Sequence, residues 1–180
     1  LDRQNPSLKL AKPELQDEGM TAVFPYLEGK TRAELLGEIL TAQGADAEVS
    51  AIRAAMDEIY SIRPEERKPF AVTPEFIKVF NALGELDSYR DKETENGGGW
   101  ASLGAVLADE SYSASNIDAL FENMLVTADG TYAIDYEWVF LFPVPAGFVK
   151  YRTLVYFYRR YKSLLGGQAE RELSDSSRSM

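Results

Sequence analysis

The chain predicts an α+β fold, mainly helical, with a small β-hairpin beside its functional centre. Three observations carry that expectation. Apolar residues recur at three- and four-residue steps through much of the chain, the period of helices with one buried face. Asp129-Gly130 separates two short strand-like runs, which is a hairpin signal. A length of 180 residues, 45% of them apolar and 27% charged, suits a single domain with a real core.

The elements follow in order. Leu8–Leu15 and Met20–Leu27 read as two strands joined by the polar turn QDEG. Thr31 and Glu34 have capping-box spacing, so a helix is expected there with Leu35, Leu36, Ile39 and Leu40 on its apolar face. Gly44 punctuates. A second helix is expected from near Asp46, with Val49, Ile52, Met56 and Ile59 at three- and four-residue steps. Two prolines in Arg63–Phe70 break the pattern. Thr73-Pro74 then fits an N-cap with proline in the first turn, and Phe76, Phe80 and Leu83 line one side before Gly84.

Residues 85–99 are polar and end in NGGG, the composition of a loop. The hairpin NMLV-TADG-TYAID follows, with Asn123 opening its first strand and Asp135 closing its second. A long helix is expected from Pro145 to Leu165, with Phe148, Tyr151, Val155 and Tyr158 on one side. Trp138, Phe140, Phe142 and Phe148 are expected in the core. The domain thus spans residues 1–165, and the apolar-poor residues 166–180 are expected as a disordered tail.

Composition excludes whole classes of chemistry. There is no Cys and no His, so disulfides, thiolate and imidazole metal sites, and Ser-His-Asp catalysis are out of reach of these residues. Catalysis would use Asp, Glu, Lys, Tyr, Ser or Thr, with an oxygen-liganded cation such as Mg²⁺. A net charge of -10 argues against nucleic acid as a partner. The longest uncharged apolar run, Trp138–Val149, is too short to span a bilayer and contains two prolines. Buried chain is the expectation there, and a cytoplasmic location without membrane contact. The basic residues Lys150, Arg152, Arg159, Arg160 and Lys162 are expected on a solvated helix face.

One constellation carries chemistry. Phosphoryl transfer asks the protein for a carboxylate that orients the attacking oxygen and for oxygen ligands that hold Mg²⁺ against the phosphates. Asp118, then Asn123, then Asp135 beyond a short hairpin have the spacing that supplies these groups in kinases. A carboxylate in an apolar strand is costly unless paired, so Asp135 needs a cation or a partner such as Arg152 or Lys150.

NIDALFENMLV followed by YAIDYEW resembles the catalytic-loop and metal-loop region of the protein-kinase-like superfamily, in its small-molecule branch of aminoglycoside and choline kinases. VFPYLEGKTRAELL resembles the hinge strand and first C-lobe helix of that family. The stretch from Asn116 to Tyr158 is also similar to a kinase-like region of bacterial multidomain methyltransferases and glycosyltransferases of surface-polysaccharide synthesis.

The resemblance implies a C-terminal lobe and hinge, with residues 8–27 as residual strands and hinge. It implies Asp118 as the catalytic carboxylate, Asn123 and Asp135 as Mg²⁺ ligands, and Tyr26 and Leu27 beside the adenine of ATP. Glu122 and Glu137 would support the ligands or lie on the surface. The acceptor would be a small molecule or saccharide, and other domains of a parent polypeptide would be partners. Asn116 stands where the family has His, and no Gly-rich loop or strand Lys precedes Leu8. The N-lobe is therefore expected to be missing, reduced or supplied by other parts of a parent chain, an expectation that the opening Leu1 reinforces. The competing expectation is a non-catalytic binding or scaffold module attached to such a methyltransferase or glycosyltransferase.

Overall fold

A computed structural model describes Leu1, residues 3–82, Gly84 and residues 110–178, with backbone alone for Ala45 and residues 163–178. The first half holds β1 (Leu8–Leu10), β2 (Glu14–Gln16), β3 (Thr21–Val23), β4 (Lys30–Thr31), α1 (Arg32–Gln43) and α2 (Ala45–Ile59). It continues with β5 (Arg67–Pro69) and α3 (Pro74–Phe80). The second half holds β6 (Glu110–Tyr112), β7 (Ser115–Asn116), β8 (Met124–Thr127), β9 (Gly130–Ala133), β10 (Val139–Phe140) and α4 (Ala146–Arg178). The chain is α+β. Leu83 and the polar loop expected over residues 85–99 lie outside the described residues, apart from the expected boundary at Gly84.

Local chemistry explains the helix starts. Thr31 accepts from the Glu34 amide while the Glu34 carboxylate accepts from the Thr31 amide, a complete capping box that opens α1. Gly44 ends α1 and precedes α2 at a φ of 86°, a left-handed conformation that glycine adopts without Cβ strain. The helices therefore join through one residue and pack side by side. Thr73 caps α3 by accepting from the Phe76 amide, with Pro74 in the first turn.

The central sheet has the order β1-β9-β8-β4. β8 and β9 form the expected hairpin, with Thr127 opposite Gly130 and Ala128-Asp129 as the loop between them. The strands are shorter than expected: Asn123 lies in a 3₁₀ turn before β8, and Asp135 lies beyond β9. Leu8–Leu15 is not one strand. β1 leaves its neighbours in sequence and pairs parallel with β9, Leu8 opposite Thr131, while β2 pairs only with β3. Gly29 carries the chain past β8, where a Cβ would meet the Val126 carbonyl oxygen at 2.3 Å.

Leu36, Ile59, Phe121, Met124, Val149 and Phe157 lie in the main core, joining α1, α2, the sheet and α4. The rings of Phe121 and Phe157 meet edge to face at 5.5 Å. The N-terminal segment is stitched to this body. Gln4 donates to the Ala114 carbonyl at 2.7 Å and accepts from the Ala114 amide at 2.9 Å. Asn5 donates to the Ile59 carbonyl at 2.6 Å, satisfying an oxygen at the end of α2.

The inward face of α4 is not the expected one. Ala146, Val149, Thr153 and Phe157 are buried, whereas Phe148, Tyr151 and Tyr158 are exposed. Both sets have helical spacing, and the deciding contacts come from distant elements. Thr153 donates to the Ala119 carbonyl at 2.8 Å and pairs with the Tyr60 hydroxyl at 2.7 Å. Burial pushes the Tyr60 hydroxyl up to about 12, so it stays protonated and neutral. Trp138 is also exposed, while Phe140 and Phe142 are half-buried. α4 continues to Arg178, so residues 166–178 are helical backbone rather than the expected irregular tail. Its run of Ala, Glu, Arg and Leu from Ala169 to Leu173 consists of good helix formers.

Candidate functional site

β7 and β10 hold the loop that carries Asp118. Asn116 pairs with Val139, and the Ile117 amide donates to the Trp138 carbonyl at 3.1 Å. The Asn116 side chain accepts from the Asp118 amide at 3.0 Å, an Asx turn that sets the direction of the loop. Asn123 closes the loop from the other side, its Nδ2 donating to the Asp118 carbonyl at 3.0 Å. The Asn123 carbonyl accepts from the Ile134 amide at 3.0 Å, one residue before Asp135. These contacts join Asn123 to Asp118 and hold the residue before Asp135 against Asn123.

Their side chains differ in setting. Asp118 is mostly buried, with 15% of its side chain exposed, and its Oδ1 accepts from Arg152 at 3.2 Å. Arg152 also donates through Nε to the Ile117 carbonyl at 3.0 Å, so one guanidinium grips both the loop and its carboxylate. Asp135 is exposed rather than buried in a strand, which removes the expected desolvation cost. Neither of the cations considered as its partner serves it: Arg152 pairs with Asp118, and Lys150 pairs with Glu110 at 3.4 Å. Glu122 lies 4.0 Å from Arg160, so three of the basic residues expected on a solvated face are in ion pairs.

An open groove of about 370 Å³ adjoins the metal-loop-like segment, lined by Phe24, Ile134, Asp135, Tyr136 and Glu137. That volume falls in the range of small-molecule clefts. Tyr136 is anchored by donating to the Ala11 carbonyl at 3.0 Å. Phe24 of the hinge-like segment lines the groove; Tyr26 and Leu27 do not, and Tyr26 is 92% exposed. Asp118 and Asn123 are also absent from the groove lining. Phe24 went unpredicted because its place depends on how the chain leaves β3, which no local pattern encodes.

The donor chemistry fits a hard cation. Asn123 spends its amide nitrogen on Asp118, leaving Oδ1 as an oxygen donor, and Asp135 supplies a carboxylate. Among the described residues no cluster of three or more Asp and Glu forms a ready metal cage. Oxygen donors of these types are the ones Mg²⁺ takes, with waters or phosphate oxygens in its other positions.

No protein-family model, curated protein or solved structure matches the chain.

Proposed function

We propose that this chain is the hinge and C-lobe part of a kinase-like phosphotransferase that moves the γ-phosphoryl group of ATP to a hydroxyl of a small molecule or saccharide. The observation that carries the reading is the shared groove: Phe24, from the hinge-like block, and Asp135, from the metal-loop-like block, line one open cleft. Two segments far apart in sequence, each singled out by the same resemblance, border this one groove, which supports the reading.

Asn123 and Asp135 would hold Mg²⁺, which would neutralise phosphate charge. Asp118 orients the acceptor hydroxyl and takes its proton as the acceptor oxygen bonds to the γ-phosphorus and the bond to ADP breaks. Arg152 positions the Asp118 carboxylate through the 3.2 Å ion pair. Phe24 offers an apolar surface for a base.

A second reading is a binding module without catalysis. It is favoured by the engagement of Asp118 with Arg152 and by the absence of Asp118 from the groove lining. ADP release from Mg²⁺-ATP, assayed with a panel of sugar and amino-alcohol acceptors, separates the two. The enzyme reading expects Asp118→Asn to lower turnover by about 10²–10⁴-fold. It also expects Asp135→Asn to abolish Mg²⁺-dependent thermal stabilisation in the presence of nucleotide. Turnover unchanged in both variants rejects the enzyme; a ligand-induced melting shift without turnover supports the module.

A further inference from the structure

We propose that the outward face of α4 docks on an anionic lipid bilayer surface. Phe148, Tyr151, Leu154 and Tyr158 recur along one side of the helix, and all are exposed, Tyr151 at 63% and Tyr158 at 58%. This stripe lies opposite the buried set Val149, Thr153 and Phe157, so α4 has a second apolar face turned away from the core. Between Ala146 and Lys162 the helix carries Lys150, Arg152, Arg159, Arg160 and Lys162 and no acidic residue, in a chain of net charge -10.

Three of these cations are satisfied within the fold by Glu110, Asp118 and Glu122. Arg159 and Lys162 are exposed and have no ion-pair partner among the described residues. Helical spacing puts both of them on the border of the aromatic stripe.

Charge complementarity selects the occupant. A symmetric contact between two copies of this face would set Arg159 and Lys162 against their own kind. An anionic surface instead meets both cations. Two of the four stripe members are tyrosines, whose rings bury while their hydroxyls stay wet, which suits the headgroup boundary. A single convex helix face with aromatic and aliphatic side chains between cations is the form of an in-plane interfacial helix. None of the described helices is long and apolar enough to cross a membrane, so the contact lies on the surface.

The test is co-sedimentation of the 180-residue chain with phosphatidylcholine vesicles, with and without phosphatidylglycerol, alongside sedimentation velocity of the protein alone. Binding is expected only with phosphatidylglycerol and should weaken with salt. Arg159→Gln with Lys162→Gln should lower partitioning by about fivefold per side chain, roughly 25-fold together. Tyr151→Ser with Tyr158→Ser should remove it at any charge density. All four positions are exposed, and circular dichroism of each variant checks that the helix is retained. No binding to anionic vesicles overturns the proposal. So does equal binding to neutral vesicles, or a self-association that the tyrosine changes abolish, which would assign the face to a second copy.

Discussion

Two hairpins in this chain began as the same kind of sequence signal and ended in opposite surroundings. β8–β9 is flanked by β1 on one edge and β4 on the other, and it buries Met124, Thr131 and Ala133. β2–β3 forms a two-stranded sheet of its own, and all six of its strand residues are exposed. Its turn also carries strain, since Asp17 and Glu18 both sit at positive φ, 50° and 55°. The turn chemistry of each hairpin is local, but a strand gains packing energy only when another element covers it.

The largest effect should come from emptying the covered hairpin. Met124→Ala removes a fully buried side chain and should destabilise the fold by about 2–5 kcal/mol in denaturant unfolding. Met20→Ser, at the outer hairpin, should stay within about 0.5 kcal/mol. Equal losses would show that β2–β3 packs on something that these contacts do not include.

A smaller change should run the other way. Glu18→Gly removes a Cβ from a left-handed position and should stabilise the chain by about 0.5–1 kcal/mol, read as a rise in denaturant midpoint. A fall would mean that the outer turn holds its shape through the Glu18 side chain.

The smallest effect distinguishes the turns by pH. The Thr127 hydroxyl, then Lys9 and Tyr132, hold the Asp129 carboxyl well below its usual range. Its folded-state value is lowered, so its contribution is complete above the unfolded value of about 3.9 and fades as pH falls toward the folded one. Asp129→Asn should therefore melt lower than the parent at neutral pH, with the gap closing from about pH 5 downward. A gap that widens in acid would contradict the sign.

The same contrast explains what could be read in advance. The Thr31–Glu34 box, the Thr73 cap and the hairpin at Asp129-Gly130 were legible because their partners lie within a few residues. The turn before Thr21 was legible too, but not that β1 would leave this neighbourhood for β9. On α4, two apolar stripes of equal period competed, and Tyr60 and Ala119 decided between them from far away in sequence. At the candidate site, the Asp118, Asn123 and Ile134 contacts follow from hairpin geometry. The Arg152 grip and Phe24's place in the groove depend on tertiary packing. Residue type suggested the site's chemistry; the surroundings that set its exposure were invisible.

The parallel pairing of β1 with β9 also has a consequence for the order of assembly. Leu8 lies opposite Thr131, and Gln4 is held by Ala114, 110 residues further on, so this segment is anchored to chain far away in sequence. On a ribosome β1 is made well before β9 and has no neighbour until residues 130–133 have emerged. Joining ends that far apart also costs loop entropy that the compact β8–β9 ribbon does not face. During synthesis β1 is thus a waiting edge, open to wrong partners, and Lys9 at its centre supplies the charge that discourages them.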